Sequence, residues 1–333
     1  MKPPAISVLD LAIIHEYETH AQALQRSIGF AKEIEGLGYF RHWIPEHHAV
    51  SHMASVAPAI LMAAIASATH SIRVGAGGVM LLNHSPLIVA EQFGTLSCLF
   101  PGRIDLGMGR AVGSEKAKEK ITRKALGRKP EESEEEFEER VRELTGYLGR
   151  RQQAGGVDAG PGENSDVELF ILSSTGQNAK LAAKMGLPFA FAAHLSEKSL
   201  VPSLEVYRNH FRSSAALDKP YVILSVFALA AEHDEQARTL FSSMEQMMLG
   251  SIRNSSAKLV APVKNMNEIW TPQEESVIGQ RVSIVGGKTS VRNAIAQLVE
   301  RTGVDELMIV CDCYEYSDRV RSHAILTDAV ASL

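Results

Sequence analysis

The most distinctive motifs of this chain follow the ends of four successive segments that have the pattern of buried β-strands. These predicted strands are Tyr39 to Pro45, Ile72 to Ala76, Ile104 to Met108 and Leu169 to Leu172. The motifs that follow them are Glu46-His47-His48, Gly77-Gly78, Arg110 and Ser174-Thr175-Gly176. Because amphipathic helical segments separate the strands, the pattern predicts a (β/α)₈ barrel, in which all strands end on one face. The motifs would then surround a single pocket, as in an enzyme.

Four further segments bring the number of predicted strands to eight, namely Ile6 to Ile14, Phe189 to Ala193, Tyr221 to Ala230 and Glu306 to Cys311. The helix near Ser55 to Ala68 is apolar on nearly all sides, which indicates burial on both of its faces. A second subunit is expected to cover the outer face, so we predict a homodimer. Residues 251 to 280 show no clear period and are predicted to wrap the outside of the barrel.

One connection between the predicted strands, residues 114 to about 165, is too long to be a simple turn and helix. It contains an acidic run at Glu131 to Glu136 and later Ala154-Gly155-Gly156. We predict a charged helix near Glu134 to Leu148, followed by a flexible segment. The acidic run is interpreted as a solvated helix face, with a mobile lid as the alternative. The whole chain, residues 1–333, is thus predicted as one TIM-barrel domain with this insertion.

Composition excludes several classes of protein. The hydrophobic content of 45% is that of a globular chain, and no apolar run approaches the roughly 20 residues that span a bilayer. The first residues, Met1-Lys2-Pro3-Pro4, lack the apolar core of a signal peptide. Three cysteines without metal spacing suit free thiols in the cytoplasm. A net charge of -5 gives no reason to expect a nucleic-acid partner.

The paired histidines are candidates for acid–base chemistry, because a histidine titrates near neutral pH. Adjacent residues on extended backbone point to opposite sides, so at most one of His47 and His48 should face the pocket. The alternative for either one is a hydrogen-bonded structural histidine. No further ligand-type residue falls at supporting spacing nearby, so no metal site is predicted.

The glycines and the arginine indicate a site for a phosphorylated ligand. Gly77-Gly78 leaves the backbone bare, either for a ligand or for a strand bulge. Arg110 could bind a phosphate through two hydrogen bonds. The Ser174-Thr175-Gly176 turn offers hydroxyl and N–H groups that bind an anion or simply cap the next helix. Its predicted place beside Arg110 favours the phosphate. A Rossmann nucleotide loop is excluded, because the glycines of Gly102 to Gly109 alternate along a strand.

Taken together, these stretches resemble the bacterial luciferase-like flavin monooxygenase family. The matching segments occur in the family's order and are Trp43 to His48, Ile72 to Leu82, Pro86 to Leu99, Gly102 to Gly113, Ile171 to Pro188 and Thr302 to Val310. The resemblance implies a barrel that binds FMN, normally in reduced form from a separate flavin reductase, and that activates dioxygen. It also implies pairing of two subunits through the second and third helices.

The resemblance assigns roles to individual residues. His47 matches the luciferase histidine beside the flavin, and Gly77-Gly78 matches a non-proline cis peptide against the flavin ring. Arg110 matches the phosphate-binding arginine, and the rest of the cradle aligns with Ser174, Thr175, Gly176 and Asn178. Ser174 stands where luciferase has an acidic residue, and the long shielding loop lacks a clear counterpart unless residues 114 to 165 serve. Light emission is therefore not expected.

These observations leave three hypotheses open. The first is an FMN-dependent monooxygenase that acts on a small organic substrate with reduced flavin and dioxygen. The second is an oxidoreductase that uses a deazaflavin for hydride transfer. The third is a flavin-binding protein on the same fold without turnover, because a fold does not fix a function. The sequence does not identify the substrate.

Overall fold

The computed structural model describes residues 3–111, 113–114, 118–129, 133–149, 157–253, 255 and 257–333. The strands in this part are β1 (Ala5–Leu9), β2 (Arg41–Ile44), β3 (Arg73–Met80), β4 (Ile104–Gly109), β5 (Glu168–Ser173), β6 (Phe189–Ala192), β7 (Val222–Ala231), β8 (Ser283–Gly287) and β9 (Glu306–Val310). The helices are α1 (His20–Gly36), α2 (Pro58–Ala68), α3 (Pro86–Leu99), α4 (Glu119–Ala125), α5 (Glu134–Leu148), α6 (Ala179–Met185), α7 (Leu200–His210), α8 (Asp234–Ile252), α9 (Pro272–Ile278), α10 (Lys288–Thr302) and α11 (Tyr316–Ala331).

Eight parallel strands close into a barrel. They follow the order β1-β2-β3-β4-β5-β6-β7-β9, and β9 pairs back onto β1. Helices surround this ring, so the predicted (β/α)₈ TIM-barrel fold is confirmed. All residues of β2, β4, β7 and β9 are buried, as expected for parallel strands covered on both faces. Within the described residues, no helix combines the length and apolar character needed to cross a bilayer.

Strand β8 is an extra strand that the sequence pattern did not predict. β6 pairs with Val222–Ser225 of β7, whereas β8 pairs with its later part, from Phe227 onward. The amide of Val282 donates to the carbonyl of Ala193 (3.0 Å), so β8 continues the ladder where β6 ends. β8 escapes prediction because it is short, begins at an exposed residue and ends in two glycines.

The segment before β8 corrects a second prediction. The amide of Leu259 donates to the carbonyl of Ile14 (3.1 Å), and the amide of Glu16 donates to the carbonyl of Leu259 (2.9 Å). Ile14 and Glu16 follow the carboxyl end of β1. This part of residues 251 to 280 therefore reaches the carboxyl face of the barrel and does not simply wrap its outside.

The first strand is shorter than its apolar run predicts. β1 ends at Leu9, and the Asp10 carboxylate then accepts a hydrogen bond from the amide of Ala12 (3.1 Å). Ala12 has a φ of 47°, which turns the chain out of the extended conformation. Residues 11–14 nevertheless stay buried. A continuous apolar run marks burial in a strand and in a loop alike, so it could not locate the strand end.

A buried ionic network fills the end of the barrel opposite the motifs. The Arg41 guanidinium contacts Asp105 Oδ2 at 2.7 Å and Glu306 Oε1 at 2.9 Å. Trp43 Nε1 donates to the same Asp105 oxygen at 2.8 Å, and its ring packs edge-on against Phe170. Burial raises the pKa of Glu306, against the opposing effect of Arg41. Each of these charges depends on its partner, because an isolated buried charge is costly.

The insertion between β4 and β5 contains α4 and α5. α5 spans Glu134–Leu148 and begins at Ser133 with a capping box to Glu136, which confirms the predicted helix. Its buried residues, Phe137, Val141, Leu144 and Leu148, form one stripe, and the helix packs on α3. Glu131, Glu132 and the predicted flexible segment at Ala154-Gly155-Gly156 lie outside the described residues. The division into one domain with an insertion stays a prediction.

Candidate active site

Glu46 ties the ends of β2 and β3 together. Its carboxylate is buried and contacts His48 Nε2 at 2.6 Å and His84 Nε2 at 2.9 Å. It also accepts hydrogen bonds from the Asn83 amide group (2.9 Å) and the backbone amide of Met80 (3.0 Å). Burial alone would raise the pKa of Glu46, but the hydrogen bonds from His48 and His84 lower it to about 2. Glu46 is therefore ionised at neutral pH and holds the segments after β2 and β3 in place.

His47 differs from its neighbour. Its backbone amide donates to the carbonyl of Ser55 (3.0 Å), and its buried Nδ1 has no hydrogen-bond partner among the described residues. Burial, with a smaller effect of His52, lowers the pKa of His47 to about 4, so its ring is neutral at pH 7. His48 is held by Glu46, whereas His47 keeps a nitrogen available. The catalytic role of His47 stays a prediction.

The Gly77–Gly78 peptide bond is cis, as the resemblance to the flavin monooxygenases implies. A Cβ atom on Gly77 would lie 2.8 Å from Trp43 Cε3, and one on Gly78 would lie 2.5 Å from the carbonyl oxygen of Gly107. The pairing of β3 with β4 also shifts register between Gly77 and Val79. Packing therefore requires both glycines, and the predicted bulge is present. Contact of this bond with a cofactor stays a prediction.

Arg110 and the turn after β5 lie together. The Arg110 guanidinium donates to the Gln177 side chain and pairs with the exposed Glu134 at 3.4 Å. Thr175 Oγ1 lies 3.3 Å from the same Gln177 oxygen. Gly176 has a φ of 79°, and a Cβ atom there would collide with Ser203 Oγ at 2.1 Å. The predicted neighbourhood of Arg110, Thr175 and Gly176 is thus present.

Two predicted cradle residues have a different setting. Asn178 is buried and donates to the backbone carbonyl of Leu172 (2.8 Å), so it stabilises the turn itself. The side-chain oxygen of Ser173, and not that of Ser174, accepts hydrogen bonds from the backbone amides of Thr175 and Gly176, at 3.4 and 3.1 Å. Helix α6 begins only at Ala179 and has 7 residues. Any phosphate would therefore depend on Arg110 and the turn more than on a helix end.

The chain matches the luciferase-like monooxygenase family over residues 6–306. It belongs to that family. A protein of Escherichia coli strain K12 named luciferase-like monooxygenase is 37% identical, with 100% of this chain and 98% of the relative covered. The uncharacterized protein YvbT of Bacillus subtilis strain 168 is 42% identical, with 98% and 97% covered. Family membership confirms the prediction of a flavin-dependent monooxygenase. The identity of its cofactor as FMN stays a prediction.

Solved structures resemble this luciferase-like monooxygenase over nearly the whole chain. Apo-MsnO8 is 32% identical, with a TM-score of 0.85 and 98% of each chain covered. The oxygenating constituent of 3,6-diketocamphane monooxygenase from Pseudomonas putida, solved with FMN, is 18% identical, with a TM-score of 0.74 and 99% and 98% covered. An F420-dependent secondary alcohol dehydrogenase is 14% identical, with a TM-score of 0.69 and 98% and 99% covered. The last two show the fold alone.

In this luciferase-like monooxygenase, His194 is a further buried histidine that the sequence motifs did not indicate. His194 follows β6 and is buried, and its Nδ1 lies 2.9 Å from Ser225 Oγ. Ser225 Oγ donates to the carbonyl of Phe191 (3.3 Å), so it accepts from His194, and Nδ1 carries the hydrogen. Burial first, and then the nearby charges of His47 and Arg281, lower the pKa of His194 to about 4. Its position directly after the predicted strand Phe189 to Ala193 is a signal that could have identified it, because the other site motifs also directly follow predicted strands.

Proposed function

We propose that this protein is an FMN-dependent monooxygenase that receives reduced FMN from a separate flavin reductase and uses dioxygen on a small organic substrate. The observation that carries the proposal is that Arg110 and Thr175 both donate to the Gln177 side-chain oxygen, which brings the guanidinium beside the turn after β5. A guanidinium beside hydroxyl and amide donors suits a terminal phosphate, since charge-assisted hydrogen bonds to phosphate are strong. The other partner of Arg110, Glu134, is exposed, and an exposed ion pair of this kind is weak.

Each residue of the site has a separate role in the proposed reaction. The bound flavin supplies the redox chemistry with dioxygen, while the protein orients it and excludes water. Arg110 and the turn hold the phosphate, and the apolar interior around Trp43 and Leu9 keeps water from the barrel side. His47, which is neutral and whose Nδ1 has no hydrogen-bond partner among the described residues, accepts or returns a proton during turnover. Glu46 keeps the strand ends in position.

The three cysteines are consistent with a cytoplasmic protein, which is part of this proposal. Cys98 is exposed, Cys311 and Cys313 are buried, and all three are free thiols. Free thiols persist where glutathione and thioredoxin keep the compartment reducing.

Arg110→Ala is expected to weaken FMN binding about ten- to a hundredfold, because it removes a charge-assisted bond worth about 1.5–3 kcal/mol. Fluorescence quenching titrations of FMN measure the change, and riboflavin, which lacks the phosphate, should bind both proteins equally. Arg142→Ala is the matched control, since Arg142 is an exposed arginine of α5 paired with Glu138. Unchanged FMN affinity in Arg110→Ala would refute the phosphate assignment.

The cofactor and the reaction are tested separately. Titrations with FMN, FAD and a deazaflavin establish which flavin binds, and a preference for the deazaflavin would support hydride transfer instead. An assay with a flavin reductase, NADH and labelled dioxygen then tests oxygenation. One labelled oxygen atom in the product is the expected result. Tight flavin binding without any product across a broad substrate panel would favour a binding protein without turnover.

The homodimer is the last part of the proposal. Several apolar residues of α2 and α3, namely Met62, Val89 and Phe93, are buried in the protein's own core and are not free to contact a second subunit. Other apolar residues of this region are exposed, namely Val56 (45%), Ile60 (74%), Ile88 (47%) and Leu99 (63%). Such a patch on α2 and α3 favours a two-fold contact.

The patch leads to a direct prediction about assembly. Light scattering at micromolar concentration should give the mass of a dimer, and Ile60→Glu should give a monomer, because it places charge in the apolar contact. Ile121→Glu, at an exposed isoleucine of α4, serves as control and should stay dimeric. A monomeric wild-type protein would contradict the proposal.

A further inference from the structure

A cavity of about 600 Å³ lies between α8, β8, α9 and the chain at residues 263–270. Its volume is in the range that holds small organic ligands. Part of its wall is apolar and is formed by Phe241, Met266, Trp270 and Ile278. Six charged side chains complete it: Glu235, Arg238, Glu245, Lys264, Glu275 and Arg281.

Burial separates these charges into two groups. Four of them are exposed to solvent, where salt and water screen them, namely Glu235, Arg238, Lys264 and Glu275. Glu245 and Arg281 are half-buried. Burial, followed by the nearby charge of Glu275, raises the pKa of Glu245 to about 7, so this carboxyl is only partly ionised at neutral pH. Arg281 remains a full cation, because a guanidinium does not lose its proton in proteins.

In the part of the chain that the structure describes, Arg281 has no anionic partner. Its Nη1 donates to the carbonyl of Val277 (3.0 Å). Among the described residues no carboxylate forms an ion pair with it, and burial lowers its pKa without an opposing effect from an acid. A half-buried charge without a counter-charge is unfavourable in a folded protein. An anionic group of a ligand in the cavity would therefore supply the counter-charge for Arg281.

The cavity adjoins the candidate active site. Val282, next to Arg281, donates its amide hydrogen to the carbonyl of Ala193 at the end of β6 (3.0 Å). The following residue is His194, whose pKa is lowered by burial and, to a smaller extent, by the charge of Arg281. The backbone next to Arg281, in the wall of the cavity, is thus hydrogen-bonded to the residue that precedes His194.

We propose that this cavity binds the organic substrate and that Arg281 selects a carboxylate group on it. The ligand class is an amphipathic organic acid, with its apolar body against Phe241 and Trp270 and its carboxylate on the Arg281 guanidinium. The role of this ligand as a substrate rests on the proposed monooxygenase function. Its binding does not require the flavin.

The test compares 3-phenylpropionate with its neutral analogue 3-phenylpropionamide by calorimetric titration of the flavin-free protein. The wild-type protein should bind the acid at least tenfold more tightly than the amide. Arg281→Ala should bring the two affinities within about twofold, and Arg281→Lys should keep part of the preference. Arg253→Ala is the matched control, because Arg253 pairs with Glu274 outside the cavity lining and should leave the preference unchanged.

Several outcomes would overturn the carboxylate site: no binding of either probe at millimolar concentration, an intact preference in Arg281→Ala, or an equal loss in Arg253→Ala. Melting curves identify a variant that fails to fold, and Arg281→Lys then carries the comparison. The same titrations with FMN separate the two proposals. A preference for the acid without FMN binding would support the carboxylate site and contradict the proposed FMN-dependent function. FMN binding without a preference for the acid would support the proposed function and contradict the carboxylate site.

Discussion

Replacing His47 by alanine is expected to lower the rate of product oxygenation by roughly 10²–10⁴-fold, the range for loss of a proton-transfer group, while FMN remains bound. The reason lies in the contrast between the paired histidines. His48 is engaged with the Glu46 carboxylate at 2.6 Å, whereas the buried Nδ1 of His47 has no partner among the described residues. The pKa of His47, lowered to about 4 chiefly by burial, keeps the ring neutral at the pH of an ordinary assay.

His48→Ala is the matched comparison for this experiment. It removes one hydrogen bond from the ionised Glu46, so we expect a lower melting temperature with activity reduced only in proportion to folded protein. Oxygenated product, FMN affinity and melting temperature are measured for both variants. Near-normal coupled oxygenation by His47→Ala, or greater damage to chemistry in His48→Ala, would show that His47 is not the proton-transfer residue.

Replacing Arg41 by methionine is expected to lower the free energy of unfolding by about 3–5 kcal/mol, the cost of breaking a buried ion pair from one side. Methionine keeps the length of the side chain but removes the cation between Asp105 and Glu306. Asp105 still pairs with Arg73 at 2.5 Å, whereas Glu306 has no other ion pair among the described residues. The Glu306 carboxylate is fully buried, so water cannot replace the lost partner. Urea denaturation followed by circular dichroism measures the change.

Arg301→Met is the control for the Arg41 experiment. Arg301 pairs with Glu197 at the surface, and both side chains are substantially exposed. Exposed pairs contribute about 0–1 kcal/mol, so this variant should unfold close to the wild-type midpoint. A similarly small effect for Arg41→Met would mean that the barrel interior admits enough water to solvate the two acids.

The closed barrel was predictable because its strands are buried on both faces and its helices carry regular apolar spacing. The site motifs were predictable for a related reason. In a parallel barrel all strand ends meet, so Arg110 and Thr175 had to be neighbours although they are far apart in sequence. The same reasoning placed Glu46 at the rim, but it could not show that His48 and His84 would converge on its carboxylate.

Other features depend on tertiary contacts that leave no local pattern. β8 forms because the later part of β7 offers a free edge beyond β6, and nothing in Ser283–Gly287 itself specifies a strand. Arg41, Asp105 and Glu306 come from three different strands. Each of these charged residues, considered alone, would be predicted to lie on the protein surface. Arg281 directly follows the segment without periodicity, so its burial and the absence of a paired anion among the described residues emerge only from the fold.

The position of β8 has an evolutionary consequence. The ring of eight strands closes without it, so the chain from α8 to β8 is an addition to the rim and not part of the wall. Insertions or exchanges in this stretch leave the ladder between β7 and β9 untouched. We therefore expect this stretch of the chain to tolerate insertions and exchanges that the eight strands of the ring would not tolerate.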